Sequence, residues 1–429
     1  MKIQRILDSR ICIVFLVMVF MRRDVPAADY PTPQPGDFVL HDFRLQAGEV
    51  LPEVRMHYLT FGTAQTNQAG RVDNAVFILH GTTGNSSNFL RADFAGELFG
   101  KGQLLDATQY YLILPDNIGH GQSSKPSDGL RGRFPHYAYA DMVETQFRLL
   151  TEGLKVNHLR LVMGTSMGGM HTWVWGEAHP EFMDALMPLA SLPTQISGRN
   201  RVWRRMIIDA IQTDPEWHNG DYQTQPHGLR LAAEVLYFMG NNPVQRQKEA
   251  PTLTQADRVL DTCVENALMT LDANNVLYAL EASHDYDPAP HLGRVEAPLL
   301  AVNFADDLIN PPRAWHPGVR DKAREAGPGN RGADERTHPG PRHPYSGSGV
   351  EGASGGTSER VEARIGDHLG LAARDYPAAA FCRFNWPKWN TGTNSWLLKL
   401  WLIIVFTGFM QAGQTSSRAS NACTRGQRR

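Results

Sequence analysis

Cysteine is scarce in this sequence, with four residues among 429. Cys12, Cys382 and Cys423 lie toward the ends of the chain, which leaves Cys263 alone in the central part. A disulfide framework and a cysteine-based metal site are therefore excluded. Histidines and carboxylates show no metal-ligand spacing, and the first apolar strand is not followed by G-x-G-x-x-G. We expect no metal ion, no dinucleotide and no other cofactor.

Net charge is equally small. A formal charge of -2 at pH 7 provides no basic surface for nucleic acid or for an anionic membrane. Long apolar runs are lacking too: Lys399 interrupts the apolar residues 395–410, which fall short of the roughly 20 residues of a membrane span. Hydrophobic residues still make up 42% of the chain, enough for a sizeable core. We expect a globular domain with no stable membrane span and no nucleic-acid partner.

Residues 1–28 have the pattern of an export signal. Lys2 and Arg5 precede an apolar stretch at 11–20, and Pro26-Ala27-Ala28 offers small residues for cleavage. The pattern predicts an exported, periplasmic protein. Two alternatives stay open: an uncleaved anchor, and a start codon placed too early, which would make the protein cytoplasmic.

Short apolar runs alternate with helical patterns between residues 29 and 312. This alternation predicts an α/β fold with a mostly parallel central sheet. Residues from about 193 to 292 contain helical stretches and no strands, so they predict a helical lid inserted into the sheet domain. The predicted strands are Val76–Leu79, Tyr110–Leu114, Leu159–Met163, Ala185–Ala190 and Pro298–Asn303, and the predicted helices include Val143–Leu154, Val202–Ile211 and Leu229–Met239.

The strongest chemical signal is Gly164-Thr165-Ser166-Met167-Gly168. A G-x-S-x-G match alone is often only a turn, but here a strand precedes it and a helix-permissive run follows. Such a strand-to-helix turn exposes a serine hydroxyl, and the glycines let neighbouring backbone pass closely. The pattern predicts that Ser166 is a nucleophile. The amide of Met167, at the start of the helix, is then a donor to developing negative charge.

A second motif, His80-Gly81-Thr82-Thr83-Gly84, ends an early strand. With Ser166 as nucleophile, this loop supplies the other donor of an oxyanion hole, which we assign to the Thr82 amide beside that of Met167. The alternative is a plain strand-to-loop turn.

An acid follows the last predicted strand. Asp307 lies in Ala305–Pro312, and the chain order of serine before aspartate is the one that this kind of site uses. Asp307 would orient a histidine and stabilise its imidazolium, with Asp306 as the fallback. Either residue could instead cap the next helix.

These motifs together resemble the homoserine O-acetyltransferase family, over roughly residues 37–312. The resemblance implies an α/β-hydrolase fold with a helical lid and ping-pong acyl transfer through an acyl-serine. By position it makes Ser166 the nucleophile and Asp307 the acid. It is carried by Gly164–Met170, Phe134-Pro135, Asp141–Gln146, Asp272–Asn275 and Asp307 with Pro311-Pro312.

The chain departs from this family at two arginines. The lid arginine that would hold the substrate carboxylate falls at Ala233, and a second one falls at Glu281. Arg230, from a neighbouring turn, is the candidate replacement. Export would also separate the enzyme from cytosolic acetyl-CoA. A hydrolase, or an acyltransferase with an acceptor other than homoserine, therefore fits better.

The general base is missing. A serine and an aspartate need a histidine beyond Asp307, and the family pattern is Gly-His shortly before a final helix. The remaining histidines do not follow a glycine or precede an apolar helix, and a solvated loop position is expected for each of them. They are His316, His338, His343 and His368.

A frameshift explains the loss. Read one base later, the codons of 337–351 can spell a Gly-His motif followed by an apolar helix, and those of 313–322 permit a helix directly after Pro312. We predict that residues 313–429 are out-of-frame translation forming a disordered tail. The lost histidine would lie across the codons of Pro341 and Arg342.

Two function classes follow from these residues. The first is a serine acyl-transfer enzyme, O-acyltransferase or esterase-like, whose partners are a small-molecule acyl donor and acceptor. The second is a catalytically dead remnant that keeps the fold but lacks the triad histidine. Assembly into a homodimer is left open.

Overall fold

The computed structural model describes residues 30–304 and 306–312, together with the backbone of 379–384. Its strands form one sheet. They are β1 (Gln34–Arg44), β2 (Val50–Phe61), β3 (Ala75–Leu79), β4 (Tyr111–Pro115), β5 (Leu161–Thr165), β6 (Leu186–Leu189), β7 (Leu299–Phe304) and β8 (Ala379–Phe384).

The strand order is β1-β2-β4-β3-β5-β6-β7-β8. The first two strands pair antiparallel, and β2 also runs antiparallel to β4. From β4 to β8 all pairs are parallel. The prediction of a mostly parallel central sheet is therefore confirmed. All five predicted strands occur within one or two residues of their predicted positions.

The strands β1 and β2 were not predicted. Their burial alternates, because one face of the hairpin packs on the core and the other meets solvent. In β2, Val54 and Met56 are fully buried while Glu53 and Arg55 are exposed. In contrast, every residue of β3 is buried, as expected for a central parallel strand covered on both faces.

Helices cover the sheet and build the lid. Two lie against the sheet: α1 (Tyr139–Arg148), which continues as a π-helical turn at Leu149–Gly153, and α2 (Met167–Ala178). Five more lie between β6 and β7: α3 (Gly198–Gln212), α4 (Gly228–Met239), α5 (Pro243–Glu249), α6 (Leu253–Thr270) and α7 (Ala273–Glu281).

Three of the lid helices, α5, α6 and α7, begin at side chains that cap them. Thr252 accepts a hydrogen bond from the amide of Gln255 and forms a capping box, and Asp272 caps α7 through the amide of Asn275. The apolar face of α3 contributes Ile207 to the core cluster that joins the lid to the sheet. Both predicted lid helices fall within α3 and α4.

None of the helices within the described residues has the length and apolar character that a membrane crossing requires. The predicted export signal at 1–28 lies outside the described residues. The predicted out-of-frame tail at 313–429 also lies outside the described residues, except for β8. Both stay predictions.

Candidate active site

Ser166 lies at the tip of the turn between β5 and α2. Its backbone has φ 54° and ψ −112°, a left-handed conformation that is strained for a residue with a side chain. Its amide donates to the carbonyl of Leu189 at the end of β6 (2.9 Å), which ties the turn to the neighbouring strand. The strand-turn-helix context that the motif requires is present.

Two glycines allow this turn to form. A Cβ at Gly164 would lie 2.3 Å from the carbonyl carbon of Gly168. A Cβ at Gly168 would lie 2.1 Å from the carbonyl oxygen of Leu79, at the end of β3. Both distances are far inside van der Waals contact, so only glycine fits at either position. The turn therefore packs directly against the end of β3.

The His80–Gly84 loop lies beside the nucleophile. A Cβ at Gly81 would lie 3.3 Å from the carbonyl oxygen of Thr165 and 3.5 Å from Cβ of Ser166. Thr82 follows directly, and its hydroxyl is buried without a hydrogen-bond partner among the described residues. Met167 is the first residue of α2, where backbone amides have no intrahelical acceptor. The loop that contains Thr82 and the start of α2 at Met167 thus both lie beside Ser166.

His80 supports this loop and is not a base. Its Nδ1–H donates to the carbonyl of Gly81 (2.9 Å), and its Nε2 accepts from the amide of Asn117 (3.1 Å). Burial lowers the pKa of His80, so the neutral ring is favoured. Both ring nitrogens are therefore engaged in holding the loop.

The polar contacts continue from Asn117 into α1 and α2. The Gln146 side-chain amide donates to Asn117 Oδ1 (2.6 Å), and the Trp175 indole donates to Gln146 Oε1 (2.7 Å). Gln146 Nε2 lies 3.1 Å from Nδ1 of His171, whose pKa burial holds well below its usual value. Buried polar groups that satisfy one another in this way fix a single arrangement.

Asp307 follows β7 and folds its own loop. Its Oδ1 accepts from the amides of Ile309 (2.7 Å) and Asn310 (2.8 Å). Burial raises the pKa of the Asp307 carboxyl, and these two hydrogen bonds oppose that shift. Asp306 is exposed instead, and its Oδ2 accepts from Asn242 of the lid (2.9 Å). Asp307 is thus the more buried of the two carboxyls, and its hydrogen bonds cap its own loop.

The carboxyl ends of the parallel strands place these loops at one edge of the sheet. Thr165 pairs with Leu189, and Leu189 pairs with Val302, so Ser166 and the Asp307 loop are separated by the end of β6. The side chain of Asn310 bridges this gap by donating to the carbonyl of Ala190 (2.9 Å).

The carboxyl end of β8 lies at this same edge of the sheet. The strand β8 pairs with β7 in parallel, with Phe304 opposite Phe384, so the loop after β8 leaves the same edge of the sheet. The sequence contains no histidine after His368. The four candidates between Arg313 and Ala378 lie outside the described residues.

The candidate replacement Arg230 lies at the surface. Its guanidinium is half exposed and pairs with Glu234 (3.2 Å) and Asp261 (3.9 Å). Ala233 is buried in α4, and Glu281 accepts from Gln212 (3.1 Å). These two ion pairs hold the Arg230 guanidinium at the surface of the lid.

A different arginine of the lid lies outside the motifs that the sequence shows. Arg204 lies on α3 and is 1% exposed. Its position beside Trp203 and one turn before Ile207 and Ile208 puts it on the apolar face of a predicted helix. A charged residue on such a face was the signal that could have identified it.

Comparison with known proteins places this geometry in context. A family model described as the alpha/beta hydrolase fold matches residues 74–317. A homoserine O-acetyltransferase of Chlorobaculum tepidum is 30% identical over 300 residues, covering 62% of this chain and 80% of that protein. A probable acyltransferase of Methanothermobacter thermautotrophicus is 29% identical over 277 residues, covering 64% and 83%.

Solved structures share the architecture. An acetylester hydrolase from Corynebacterium glutamicum superposes with a TM-score of 0.59 at 23% identity, covering 69% of this chain and 86% of that one. At this level of identity the similarity concerns the fold.

Proposed function

Because the chain belongs to the alpha/beta hydrolase fold family, we propose that it is a serine-dependent acyl-transfer enzyme that forms an acyl-serine at Ser166. Its relatives are acyltransferases and esterases, so the chain is an enzyme of this superfamily. The observation that carries the proposal is the positive φ of Ser166 on a strand-to-helix turn, beside Gly81 of the neighbouring loop.

The chemistry assigns one task to each group. Ser166 Oγ attacks the acyl carbonyl and passes its proton to a histidine base, while the carbonyl electrons move onto oxygen. The amides of Thr82 and Met167 stabilise that oxyanion. Asp307 orients the histidine. Return of the proton to the leaving group releases an alcohol, and water or a second acceptor then removes the acyl group from Ser166.

The acceptor is water or a compound other than homoserine. Two observations support this choice. Ala233 stands where the homoserine O-acetyltransferases carry their lid arginine, and Arg230 is committed to Glu234 and Asp261 at the surface. An esterase-like reaction needs no such arginine. The partners of the enzyme are therefore a small acyl donor and a small acceptor or water.

The histidine base belongs to a reading frame that the chain has lost. Residues 313–429 are then out-of-frame translation, and the absence of histidine after His368 supports this proposal. The alternative is a catalytically dead remnant that keeps the fold. Export through residues 1–28 is a further proposal that rests on the sequence pattern alone.

A fluorophosphonate probe separates an enzyme from a remnant. We expect the probe to label the frame-restored chain at Ser166, because the restored histidine activates the hydroxyl and both oxyanion donors favour attack on a tetrahedral phosphorus centre. Labelling is read by peptide mass after incubation. The Ser166→Ala variant is the control and must stay unlabelled. A folded, frame-restored chain in which Ser166 fails to react supports the remnant.

A further inference from the structure

One residue, Asn310, ties the Asp307 loop to its surroundings. Asn310 is 3% exposed. Its amide donates to Asp307 Oδ1 (2.8 Å), and its carbonyl accepts from the side chain of Asn303 near the end of β7 (2.9 Å). Its side-chain Nδ2 donates to the carbonyl of Ala190, just beyond β6 (2.9 Å). The sheet and the loop thus engage every polar atom of Asn310 except Oδ1.

The partner of Oδ1 comes from the lid. Asn200 lies in the first turn of α3, is buried, and donates from Nδ2 to Asn310 Oδ1 (3.1 Å). Its own Oδ1 accepts from Nε of Arg204, one turn later on the same helix (3.0 Å). Arg204 is buried too, and its Nη1 donates to Oγ of Ser283 (3.2 Å). Buried hydrogen bonds therefore join the Asp307 loop to the lid.

The two ends of this chain of hydrogen bonds fix its direction. An arginine side chain can only donate, and a backbone carbonyl can only accept. Arg204 stands at one end and the carbonyl of Ala190 at the other. Both asparagines must therefore turn their oxygen toward Arg204 and their nitrogen toward Ala190. A side chain at position 200 that cannot donate would leave Oδ1 of Asn310 buried without a partner, which is costly.

We propose that Asn200 is a positioning residue through which the lid holds Asp307 in the orientation that catalysis needs. This inference rests on the proposed function, in which Asp307 orients the histidine base. Asn200 acts through Asn310, whose amide shares Asp307 Oδ1 with the amide of Ile309. Docking of α3 and alignment of the acid are then linked, because a displaced α3 withdraws the donor and loosens the hydrogen bonds to Asp307.

A second contact between the lid and this loop provides a matched control. Asn242 donates to Oδ2 of Asp306 (2.9 Å), and this contact is exposed. Asn200→Asp keeps an acceptor for Arg204, and Asn242→Asp keeps the acceptor that caps α5. Each substitution therefore preserves the contact within the lid and removes only the donor to the loop.

Hydrogen exchange of the full chain measures this hold directly. The amides of Ile309 and Asn310, which donate to Asp307, are followed by mass spectrometry with fragmentation of their peptide. In Asn200→Asp we expect both to exchange about 10- to 100-fold faster, because an unsatisfied buried acceptor weakens the loop. The amide of Ile208, within α3, is expected to keep its protection. Asn242→Asp is expected to leave exchange of the loop amides unchanged.

The pH profile of the frame-restored enzyme tests the catalytic consequence. A misaligned Asp307 stabilises the imidazolium less, so the pKa of the restored histidine falls. In Asn200→Ala, which adds no charge, we expect kcat to fall about 10- to 100-fold and the acidic limb of kcat/KM to move to lower pH. Loss of a contact that only stabilised the lid would lower kcat/KM equally at every pH.

Unchanged exchange of the loop amides in Asn200→Asp, with α3 still protected, would overturn the inference. So would equal acceleration in Asn242→Asp, or a fall of kcat in Asn200→Ala without a shift of the acidic limb. If one of the two Asn200 variants does not fold, exchange of the loop amides in the other decides.

The two proposals fail separately. Loop exchange that depends on Asn200, in a frame-restored chain whose Ser166 is inert to fluorophosphonate, would contradict the acyl-transfer proposal and reduce the lid contact to a structural one. Labelling of Ser166 together with loop exchange that does not depend on Asn200 would contradict only the positioning role.

Discussion

Restoring the reading frame from codon 313 is expected to accelerate hydrolysis of p-nitrophenyl acetate by about 10²–10⁴-fold over the chain as it stands. The physical reason is general-base catalysis, because a positioned histidine contributes about that factor. Under the proposed function Ser166, Thr82 and Met167 form the rest of the site, so the restored histidine adds the group that they lack. The measurement is the release of p-nitrophenol by both purified proteins at equal concentration.

The control is the restored chain with its new histidine replaced by glutamine. That variant is expected to return to the low rate while keeping its fold. Equal rates for the restored and unrestored chains would contradict the frameshift. A sequenced gene without a shift near codon 313 would do so independently.

Asp307→Asn is expected to lower kcat of the restored enzyme by a factor on the order of 10⁴, the loss found when a triad aspartate is neutralised. Asparagine keeps an oxygen that can accept from Ile309 and Asn310, so the loop is expected to persist. The substitution therefore removes the negative charge of residue 307 and keeps the size of its side chain. Steady-state kinetics and circular dichroism together check both parts of this expectation.

Asp306→Asn is the matched control, since Asp306 is adjacent, exposed and bonded to Asn242 of the lid. We expect its kcat to stay within about threefold of the restored enzyme, because surface substitutions usually change free energies by less than about 0.5 kcal/mol. A larger loss of kcat in Asp306→Asn than in Asp307→Asn would identify Asp306 as the acid.

The central strands and the nucleophile turn were predictable because their determinants are local. Parallel strands buried on both faces appear as continuous apolar runs, as in Val76–Leu79. The turn at Ser166 requires glycines two residues away on either side, and the structure shows why, since a side chain at Gly164 or Gly168 would strike backbone. Sequence neighbours alone define that geometry.

The first hairpin escaped prediction for a different reason. The strand β1 begins with Gln34-Pro35-Gly36, residues that favour turns, and only some of its side chains face the core. The strand β2 mixes Glu53 and Arg55 with buried residues for the same reason. Weak alternation of apolar and polar residues does not indicate a strand unless the buried face of the sheet is already known.

The proximity of Thr82, Tyr139 and Arg204 could not be predicted from the sequence. They come from three separate elements: Thr82 from the loop after β3, Tyr139 from the start of α1, and Arg204 from the lid. Their proximity depends on how the lid packs on the sheet, which is a tertiary property. The helix around Arg204 was predicted, but its orientation toward the oxyanion loop was not.

Nucleophilic catalysis by Ser166 is tested most directly by the mass of the Ser166 peptide from the frame-restored enzyme, quenched in acid during p-nitrophenyl acetate turnover. An acyl-serine intermediate predicts an added acetyl group on Ser166 that appears and decays at rates consistent with turnover. Sustained turnover with Ser166 unmodified, and with the acetyl group on another residue, would contradict it.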